Sequence, residues 1–434
     1  MYCSFMDMSN AGKPGSLLLL MRRNLRPNAS DHVQTLLDLG VDLHLVTSAA
    51  DDMPGDPRFV SSTALPADLG HNQIVPAVSG IARAHEAAAV ITFSEYDIVI
   101  AGEANERLGV SWARPRADRI SRDKSRQRAF LAAHQLPGAW CYPVTDANAA
   151  LDVAAEHGFP LVVKPTRAAS STAVELVAGQ PALKSALDSI AALDAGAIDA
   201  GAAWALLEEY VPGREVTLDG VVLDGRFILG GIHDKALTSG PFFEEDLYTL
   251  PFSSPEREPE LVAIAENIVK CLGLDLSLFN AELREDRNGK FRVIEFSTRV
   301  SGGHVFRNVR DVYGIDLLRI FVRSVLGDAA EQILGQESAR RAPRMATCIK
   351  RLYADGRVVR NNAGHAIFSP NFKAYYPMAK PDRVIASAPR GFDTLGALSV
   401  WLPWHAGQAP AVAHQVALMV AAELDVEIEG QQWS

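Results

Sequence analysis

The size, composition and charge of the chain set the first limits on its function. It has 434 residues, 48% of them hydrophobic and 22% charged, so it can bury the cores of two or three domains and is not a disordered polymer. The net charge of −10, without any Lys/Arg block, argues against nucleic acid or an anionic membrane as the main partner.

Cysteine spacing and the apolar segments indicate the compartment. Four scattered cysteines without a CxxC pair are typical of reduced thiols, not of a disulfide scaffold or a zinc site: Cys3, Cys141, Cys271 and Cys348. The apolar run at residues 17–21 is too short to span a membrane and is not followed by a signal-peptide cleavage site. We therefore expect a cytoplasmic protein with neither membrane nor nucleic acid as a partner.

Residues 1–117 read as an N-terminal α/β domain. Strand-like runs at 16–21, 41–47 and 89–93 alternate with helical patterns at 32–39, 74–88 and 96–108. This alternation predicts a Rossmann-like parallel sheet with crossover helices. The segment has no GxGxxG, so a dinucleotide site is not indicated.

Residues 118–138 predict a linker helix, and residues 139–212 a smaller α/β unit. Lys124 lies in the first half of the linker helix, where an ordinary surface lysine is the simplest interpretation. In the smaller unit, Asp146 is a candidate N-cap for a helix over 146–157. The apolar strand FPLVVKP closes on Lys164, whose ammonium we expect to meet a partner such as a phosphate.

Residues 213–434 predict a third, largely β region. Asp224-Gly225 marks a hairpin turn, followed by a loop over 233–251 and helices near 259–271 and 314–326. From about residue 344 the pattern suggests a small α+β appendage.

The most informative stretch is a second hairpin at residues 279–303, with Asn288-Gly289 as a predicted two-residue turn. Counting outward pairs the following residues: Glu285 with Arg292, Leu283 with Ile294, Glu282 with Glu295, Ala281 with Phe296 and Asn280 with Ser297.

Two glutamates facing each other across a strand pair repel, with β-carbons about 5 Å apart. Oxygens from Glu282 and Glu295 could instead bind one Mg²⁺ at about 2.1 Å. A solvated edge with both side chains in water is the alternative. Arg299 and the glycine turn Ser301-Gly302-Gly303 follow directly, and these are groups that phosphoryl transfer requires.

With these residues in view, the chain resembles the ATP-grasp superfamily, and within it ATP-dependent carboxylate–amine ligases such as the L-amino-acid ligases, from about residue 16 to at least 327. The resemblance implies an ATP-grasp fold after the N-terminal domain, with 139–212 as a small lid and ATP between lid and catalytic subdomain. It implies the cofactors ATP and Mg²⁺, as two ions with Mn²⁺ as a substitute, and homodimers are common among relatives.

The resemblance assigns nucleotide contacts along the chain. RDKSRQRAFL and VVKP match the segments that supply two phosphate-binding lysines, TRAASSTA matches the lid flap without its usual glycines, and EEYVPGRE matches the hinge that contacts adenine and ribose. The residues so assigned are Lys124, Lys164, Ser170, Ser171, Glu208, Glu209, Tyr210, Val211, Glu215 and Lys235.

The hairpin then becomes the metal site. Glu282, Glu295 and Ser297 are the implied metal ligands, and Arg299 with Glu295 the implied catalytic residues. Relatives read ExNxR, whereas this chain has Ser297 in place of asparagine, so we hypothesise that Asn280 supplies or relays the missing amide oxygen.

The implied substrate residues are Tyr248, Arg299, Ser301, Gly302, Gly303, His304 and Arg307, with Glu95 and Phe306 as further candidates. Leu247-Tyr248 stands where related dipeptide ligases have Gly-His, so substrate choice could differ. The implied reaction joins a small carboxylate to an amine through an acyl phosphate. A bicarbonate-activating carboxylase and a non-catalytic ATP-binding regulator are the alternatives.

Overall fold

The N-terminal region is a parallel α/β domain. The computed structural model of the protein describes residues 15–22, 27–48, 57–168, 171–193, 202–302, 305–337, 340–405, 410–429 and 431–432. The first elements are β1 (Ser16–Leu20), α1 (Pro27–Leu37), β2 (Asp42–Ser48), β3 (Ser61–Leu65), α2 (His71–Ala84), β4 (Val90–Ile91) and α3 (Ile98–Leu108). Parallel strands in the order β3-β2-β1-β4 confirm the predicted Rossmann-like fold, although β3 was not predicted.

Strand β1 is buried on both faces, as its run of leucines predicts. Leu17 and Leu19 pack into a core shared with the central part of the chain. Leu18 and Leu20 pack against the core that includes α2 and α3. The N-terminal domain is therefore joined to the rest of the molecule through one face of its sheet.

The predicted single linker helix is wrong, because the segment forms two helices, α4 (Pro115–Arg122) and α5 (Lys124–Ala133). Asp123 between them has an extended backbone (φ −122°, ψ 110°). Its carboxylate accepts hydrogen bonds from the N–H groups of Ser125 and Arg126, so it caps the second helix. Lys124 is thus the first residue of α5.

The smaller unit is a four-stranded antiparallel sheet with two helices. Its elements are β5 (Cys141–Val144), α6 (Ala147–His157), β6 (Leu161–Pro165), β7 (Glu175–Val177), α7 (Gln180–Leu193) and β8 (Ala205–Glu209), with strand order β5-β8-β6-β7. The predicted N-cap is confirmed, since the Asp146 carboxylate accepts from the N–H of Asn148 at 2.7 Å. Strand β6 ends at Lys164-Pro165 as expected.

The central region is built on an eight-stranded antiparallel sheet of order β13-β12-β9-β10-β11-β14-β18-β16. The remaining elements are β9 (Glu215–Leu223), β10 (Arg226–Leu237), β11 (Glu245–Leu250), α8 (Glu258–Leu272), β12 (Leu276–Glu285), β13 (Phe291–Ser297), α9 (Val305–Tyr313), α10 (Leu317–Val325), α11 (Ala330–Glu337), β14 (Met345–Leu352), β15 (Gly356–Asn362), β16 (Phe372–Pro377), β17 (Val384–Ile385), β18 (Gly396–Pro403), α12 (Pro410–Ala421), β19 (Asp425–Ile428) and β20 (Gln431–Gln432). Short 3₁₀ helices occupy Pro255–Arg257 and Gly364–Phe368.

Strand β9 shows how this sheet separates core from site. Val216 and Leu218 pack with α8 on one face. Glu215, Thr217 and Asp219 alternate with them and therefore point to the opposite face. All three are buried, so this face carries polar groups away from solvent.

Two loop predictions in this region have opposite outcomes. The Asp224-Gly225 turn is confirmed, with positive φ at both residues (48° and 73°), as a two-residue hairpin of this type requires. The predicted loop over 233–251 is wrong, because β10 continues to Leu237 and β11 occupies most of the rest. Lys235 and Tyr248 are consequently paired across two strands.

In the part of the chain that the structure describes, no helix is both long and apolar enough to cross a membrane. Cys141, Cys271 and Cys348 are free thiols, and Cys3 lies outside the described residues. From residue 344 onward, β14, β16 and β18 extend the central sheet. The other four strands form a separate sheet of order β17-β15-β19-β20.

Candidate active site

The hairpin pairing around the two glutamates is as predicted. Glu282 pairs with Glu295, and Asn280 pairs with Ser297. Both glutamate side chains lie on the polar face of the sheet, and each meets a lysine: Lys235 at 3.0 Å from Glu282 and Lys124 at 2.9 Å from Glu295. The alternative of two carboxylates free in water is therefore wrong.

The predicted turn of this hairpin is wrong, and a bulge compensates for it. The observed pairs are Leu283–Val293 and Glu285–Phe291, in place of Leu283–Ile294 and Glu285–Arg292. Asp286 makes the loop one residue longer, because its carboxylate accepts the N–H groups of Asn288 and Lys290 while its own N–H bonds the Lys290 carbonyl. Ile294 is left without a partner in the β12–β13 ladder, and this bulge restores the predicted register at Glu295.

Arg128 holds the bulge and was missed by the sequence analysis. Its Nη2 donates to the carbonyl oxygen of the bulged Ile294 at 2.6 Å. Its Nε lies 2.7 Å from Oε1 of Glu208, at the far end of strand β8. A signal was present, since Arg128 follows Lys124 by four residues and so shares its face of the helix.

Glu208, on strand β8, lies between two cations in the cleft. Lys164 Nζ is 2.7 Å from its Oε2, and Arg128 covers Oε1. All three side chains are almost completely buried. Burial raises the pKa of Glu208, but the Arg128 guanidinium and the Lys164 ammonium lower it by more, so the group stays ionised. The carboxylate is thus neutralised within the chain.

Lys124 is buried and not an ordinary surface lysine. Its Nζ donates to Oε1 of Glu295 and to the carbonyl of Ala168, both at 2.9 Å. Its own N–H bonds the carbonyl of Thr166. The lysine therefore ties the hairpin to the flap that follows strand β6.

Lys235 is shared by three carboxylates. Its Nζ lies 2.7 Å from Glu215, 3.0 Å from Glu282 and 3.9 Å from Glu245. Despite burial, these carboxylates raise the pKa of Lys235 well above its usual value. Arginines also approach two of these acids, Arg284 at 3.7 Å from Glu215 and Arg351 at 3.2 Å from Glu245.

Glu282 is the least compensated carboxylate of this group. Burial raises its pKa to about 7; Lys235 opposes this, while Glu215 and Glu295 add to it. Carboxylate oxygens suit Mg²⁺, which is usually held by one or two carboxylates together with substrate phosphates. In the described ranges no group of three or more His, Cys, Asp or Glu is placed to hold a metal ion. The residues present therefore fit an ion that is bound both by these carboxylates and by the phosphates of a polyphosphate ligand.

These groups line one cleft. The assigned nucleotide residues that line it are Lys124, Lys164, Ser171, Glu208, Glu209, Tyr210, Val211, Glu215 and Lys235, joined by Glu282 and Glu295. Ser170 lies outside the described residues.

Arg299 and Ser297 meet a glutamate from the N-terminal domain. Arg299 Nε donates to Oε2 of Glu95 at 2.5 Å, and the Ser297 hydroxyl donates to the same oxygen at 3.3 Å. Asn280 Nδ2 donates to the carbonyl of Arg299 at 2.6 Å. The Asn280 amide thus stands beside Ser297 as predicted, and its nitrogen is engaged with the backbone.

The remaining substrate candidates are dispersed. Tyr248 packs in a small cluster with Val305, and Arg307 Nη1 donates to the Tyr376 hydroxyl at 2.7 Å. Phe306 stacks on His32 in the interdomain core. None of these three candidates lines the cleft described above.

The glycine turn is described only in part. Ser301 directs both its N–H and its hydroxyl to Asp219, so this N–H is not available to an oxyanion in the conformation seen. Gly302 is described, whereas Gly303 and His304 lie outside the described residues.

Comparison with known proteins agrees with this geometry. Residues 157–307 match the model of the ATP-grasp domain. The sequence is 26% identical to alanine–anticapsin ligase of Bacillus subtilis over 58% of this chain and 56% of that protein. It is 32% identical to carnosine synthase 1 of Gallus gallus over 55% of this chain and 27% of that protein. The aligned regions thus span less than two thirds of these relatives.

The fold is matched along nearly the whole length of the chain. The crystal structure of an L-amino acid ligase from Bacillus licheniformis superposes with a TM-score of 0.80 at 18% identity, covering 97% of this chain and 100% of that one. Residues 157–307, which include the paired glutamates, are thus similar to the ATP-grasp domain, and the fold of the chain is similar to that of the L-amino acid ligase.

Proposed function

We propose that the protein is an ATP-dependent ligase that joins a small carboxylate to an amine and releases ADP and phosphate. The observation that carries this proposal is the placement of Glu282 opposite Glu295, at the end of a cleft that also contains three buried lysines. The named relatives, alanine–anticapsin ligase and carnosine synthase, favour an amino acid as at least one substrate.

The chain's own residues suit phosphoryl transfer, which depends on positioning and charge stabilisation. Lys124 and Lys164 would bind the phosphates of ATP, the hinge after β8 would contact adenine, and Glu215 the ribose hydroxyls. Glu282 and Glu295 would hold Mg²⁺, or Mn²⁺ in its place, with Ser297 and Asn280 beside a second ion. The bound metal would neutralise charge on the β- and γ-phosphates.

An acyl phosphate solves the chemical problem of this reaction, because a carboxylate by itself is unreactive toward amines. The substrate carboxylate would attack the γ-phosphorus with ADP as the leaving group, and the amine would then displace phosphate from the acyl carbon and lose a proton to give the amide. Arg299 would hold the acyl phosphate, and the lid over the cleft would exclude water that hydrolyses it. The pairing of Arg299 with Glu95 offers a cation and an anion together, which complements the two charges of an amino acid.

The test is an ADP- and phosphate-release screen over pairs of amino acids, with ATP and bicarbonate as a separate arm. Release that requires both a carboxylate and an amine, with an amide product by mass spectrometry, is the expected result. Release with bicarbonate alone would assign a carboxylase instead. Nucleotide binding without ADP release in any arm would favour the non-catalytic regulator.

A further inference from the structure

The segment 298–301, which carries Arg299, belongs to no strand and is held by side chains from other elements. The contacts are the Thr298 hydroxyl to Asp118 at 2.7 Å, the Thr298 N–H to Ser121 at 3.2 Å, Asn280 to the Arg299 carbonyl at 2.6 Å, and the Ser301 N–H and hydroxyl to Asp219 at 3.0 and 2.5 Å. The position of Arg299 is therefore fixed by groups remote in sequence.

Two of these side chains face each other in the sheet. Asp219 on β9 pairs directly with Asn280 on β12. They hold Ser301 and Arg299, which are two residues apart. One rung of the central sheet thus fixes the segment at two points, and a rigid strand holds a functional group more accurately than a loop does.

Burial of the Asp219 carboxylate costs free energy of folding. It is 0% exposed, and its second oxygen has no hydrogen bond and lies 3.9 Å from Nδ1 of the equally buried His233. Burial raises the pKa of Asp219 to about 6, although the bonds from Ser301 lower it, and burial lowers the pKa of His233 to about 3. An apolar side chain would avoid the desolvation cost of a buried carboxylate.

We propose that Asp219 is a positioning residue for the ligation step, holding Ser301 and with it Arg299 against the substrate. The inference rests on the proposed ligase function. Asp219 does not line the nucleotide cleft, so its loss misplaces the acyl phosphate without disturbing ATP. A misplaced acyl phosphate reacts more slowly with the amine, so water hydrolyses a larger fraction of it.

The experiment compares wild type with Asp219→Leu, which cannot accept a hydrogen bond, and Asp219→Asn, which keeps an oxygen for Ser301. We expect Asp219→Leu to lower kcat for amide formation about 10²-fold, the size seen when reacting groups are misplaced by about 1 Å. KM for ATP should stay within about threefold, and more ADP should be released per amide formed. Asp219→Asn should recover activity to within about tenfold of wild type.

Two further variants guard against a folding artefact. Thr217→Val is the matched control, because Thr217 is buried on the same strand and face and its hydroxyl has no hydrogen-bond partner. Ser301→Ala removes one of the two hydrogen bonds to Asp219 and should lower kcat about threefold to tenfold. This variant tests the same contact if Asp219→Leu does not fold.

The outcomes separate the two proposals. If wild type forms amides and kcat of Asp219→Leu and Ser301→Ala matches it, or if KM for ATP rises as much as kcat falls, the positioning role is wrong. If Asp219→Asn is as impaired as Asp219→Leu, the hydrogen bond to Ser301 is not what matters, and the proposal is equally wrong. If wild type forms no amide, the ligase function fails, and the inference falls with it.

Discussion

Glu208 and Glu282, at the two ends of the cleft, differ in how many cations they meet and in the direction of their pKa shift. At the end near strand β8, Glu208 has two cations within 2.7 Å, Lys164 and Arg128, and its pKa is lowered. At the hairpin end, Glu282 shares the single ammonium of Lys235 with other acids, and burial raises its pKa to about 7.

The difference shows where a ligand is needed. Lys164 and Arg128 neutralise the negative charge of Glu208 within the polypeptide, so no ligand is needed at this end. Glu295 meets Lys124 and its pKa is lowered, whereas Glu282 lies opposite it with only the shared Lys235, so a divalent cation would relieve their repulsion. The hairpin end is therefore where ATP and metal should change the protein most.

The largest expected effect comes from removing a charge at the hairpin end. Glu295→Gln keeps the shape of the side chain but loses the anion that would bind metal. We expect ADP release with substrates to fall about 10³-fold, as when a group that stabilises transition-state charge is removed. Thermal unfolding should show an intact fold. Glu266→Gln, on the exposed face of α8, is the control; wild-type ADP release by Glu295→Gln would disprove the metal assignment.

The next effect is on stability. Lys235→Met removes the ammonium that Glu215 and Glu282 share, which leaves Glu282 without its cation and Glu215 with only Arg284 at 3.7 Å. We expect a loss of about 3–5 kcal/mol in the free energy of unfolding, the usual result of breaking a buried ion pair from one side. Denaturant titration measures it, with the exposed Lys184→Met as control. An unchanged free energy of unfolding would mean that these acids are neutral in the folded protein.

A smaller effect is expected at the opposite end. Arg128→Met leaves Glu208 with one cation and the bulged Ile294 carbonyl without its donor. Loss of hydrogen bonds to a charged group should raise KM for ATP about 10- to 100-fold. Arg126→Met, two residues earlier with its side chain half exposed, is the matched control. If both variants bind ATP like wild type, the bulge does not depend on Arg128.

The smallest effect is expected at the residue that departs from the family pattern. Ser297→Ala removes a neutral hydroxyl whose bonds to Glu95 and Ser121 are long, 3.3 and 3.4 Å. We expect the Mg²⁺ concentration for half-maximal activity to rise about twofold to tenfold. A magnesium titration of ADP release measures this shift. A loss as large as that of Glu295→Gln would make Ser297 a principal ligand.

The alternating strands and helices of the N-terminal domain and the pairing of the two glutamates could be predicted from the sequence, whereas β3, the break between α4 and α5, and β11 were missed. The pairing was reached through a turn that is wrong, because the sequence did not show that the Asp286 carboxylate would bind the loop N–H groups. The bulge at Ile294 offsets the longer loop by one residue. Strand alternation is the stronger constraint, since a slip of one residue would turn the glutamates into the core.

Contacts between distant segments could not be predicted. Arg128 meets Ile294 across 166 residues, and Arg299 meets Glu95 across 204. Local patterns carry no information about such pairs, so Arg128 was missed and Glu95 was named without its partner. The break at Asp123 was readable in principle, because an aspartate before a helical run is a typical N-cap.

We propose above all that Glu282 and Glu295 together bind a nucleotide-bound divalent ion. A crystal grown with Mn²⁺ and a non-hydrolysable ATP analogue tests it through the anomalous scattering of the metal. We expect a peak within ligand distance of one oxygen from each carboxylate and of the β- and γ-phosphates. A metal bound to the phosphates with neither glutamate, or a nucleotide outside this cleft, would contradict it.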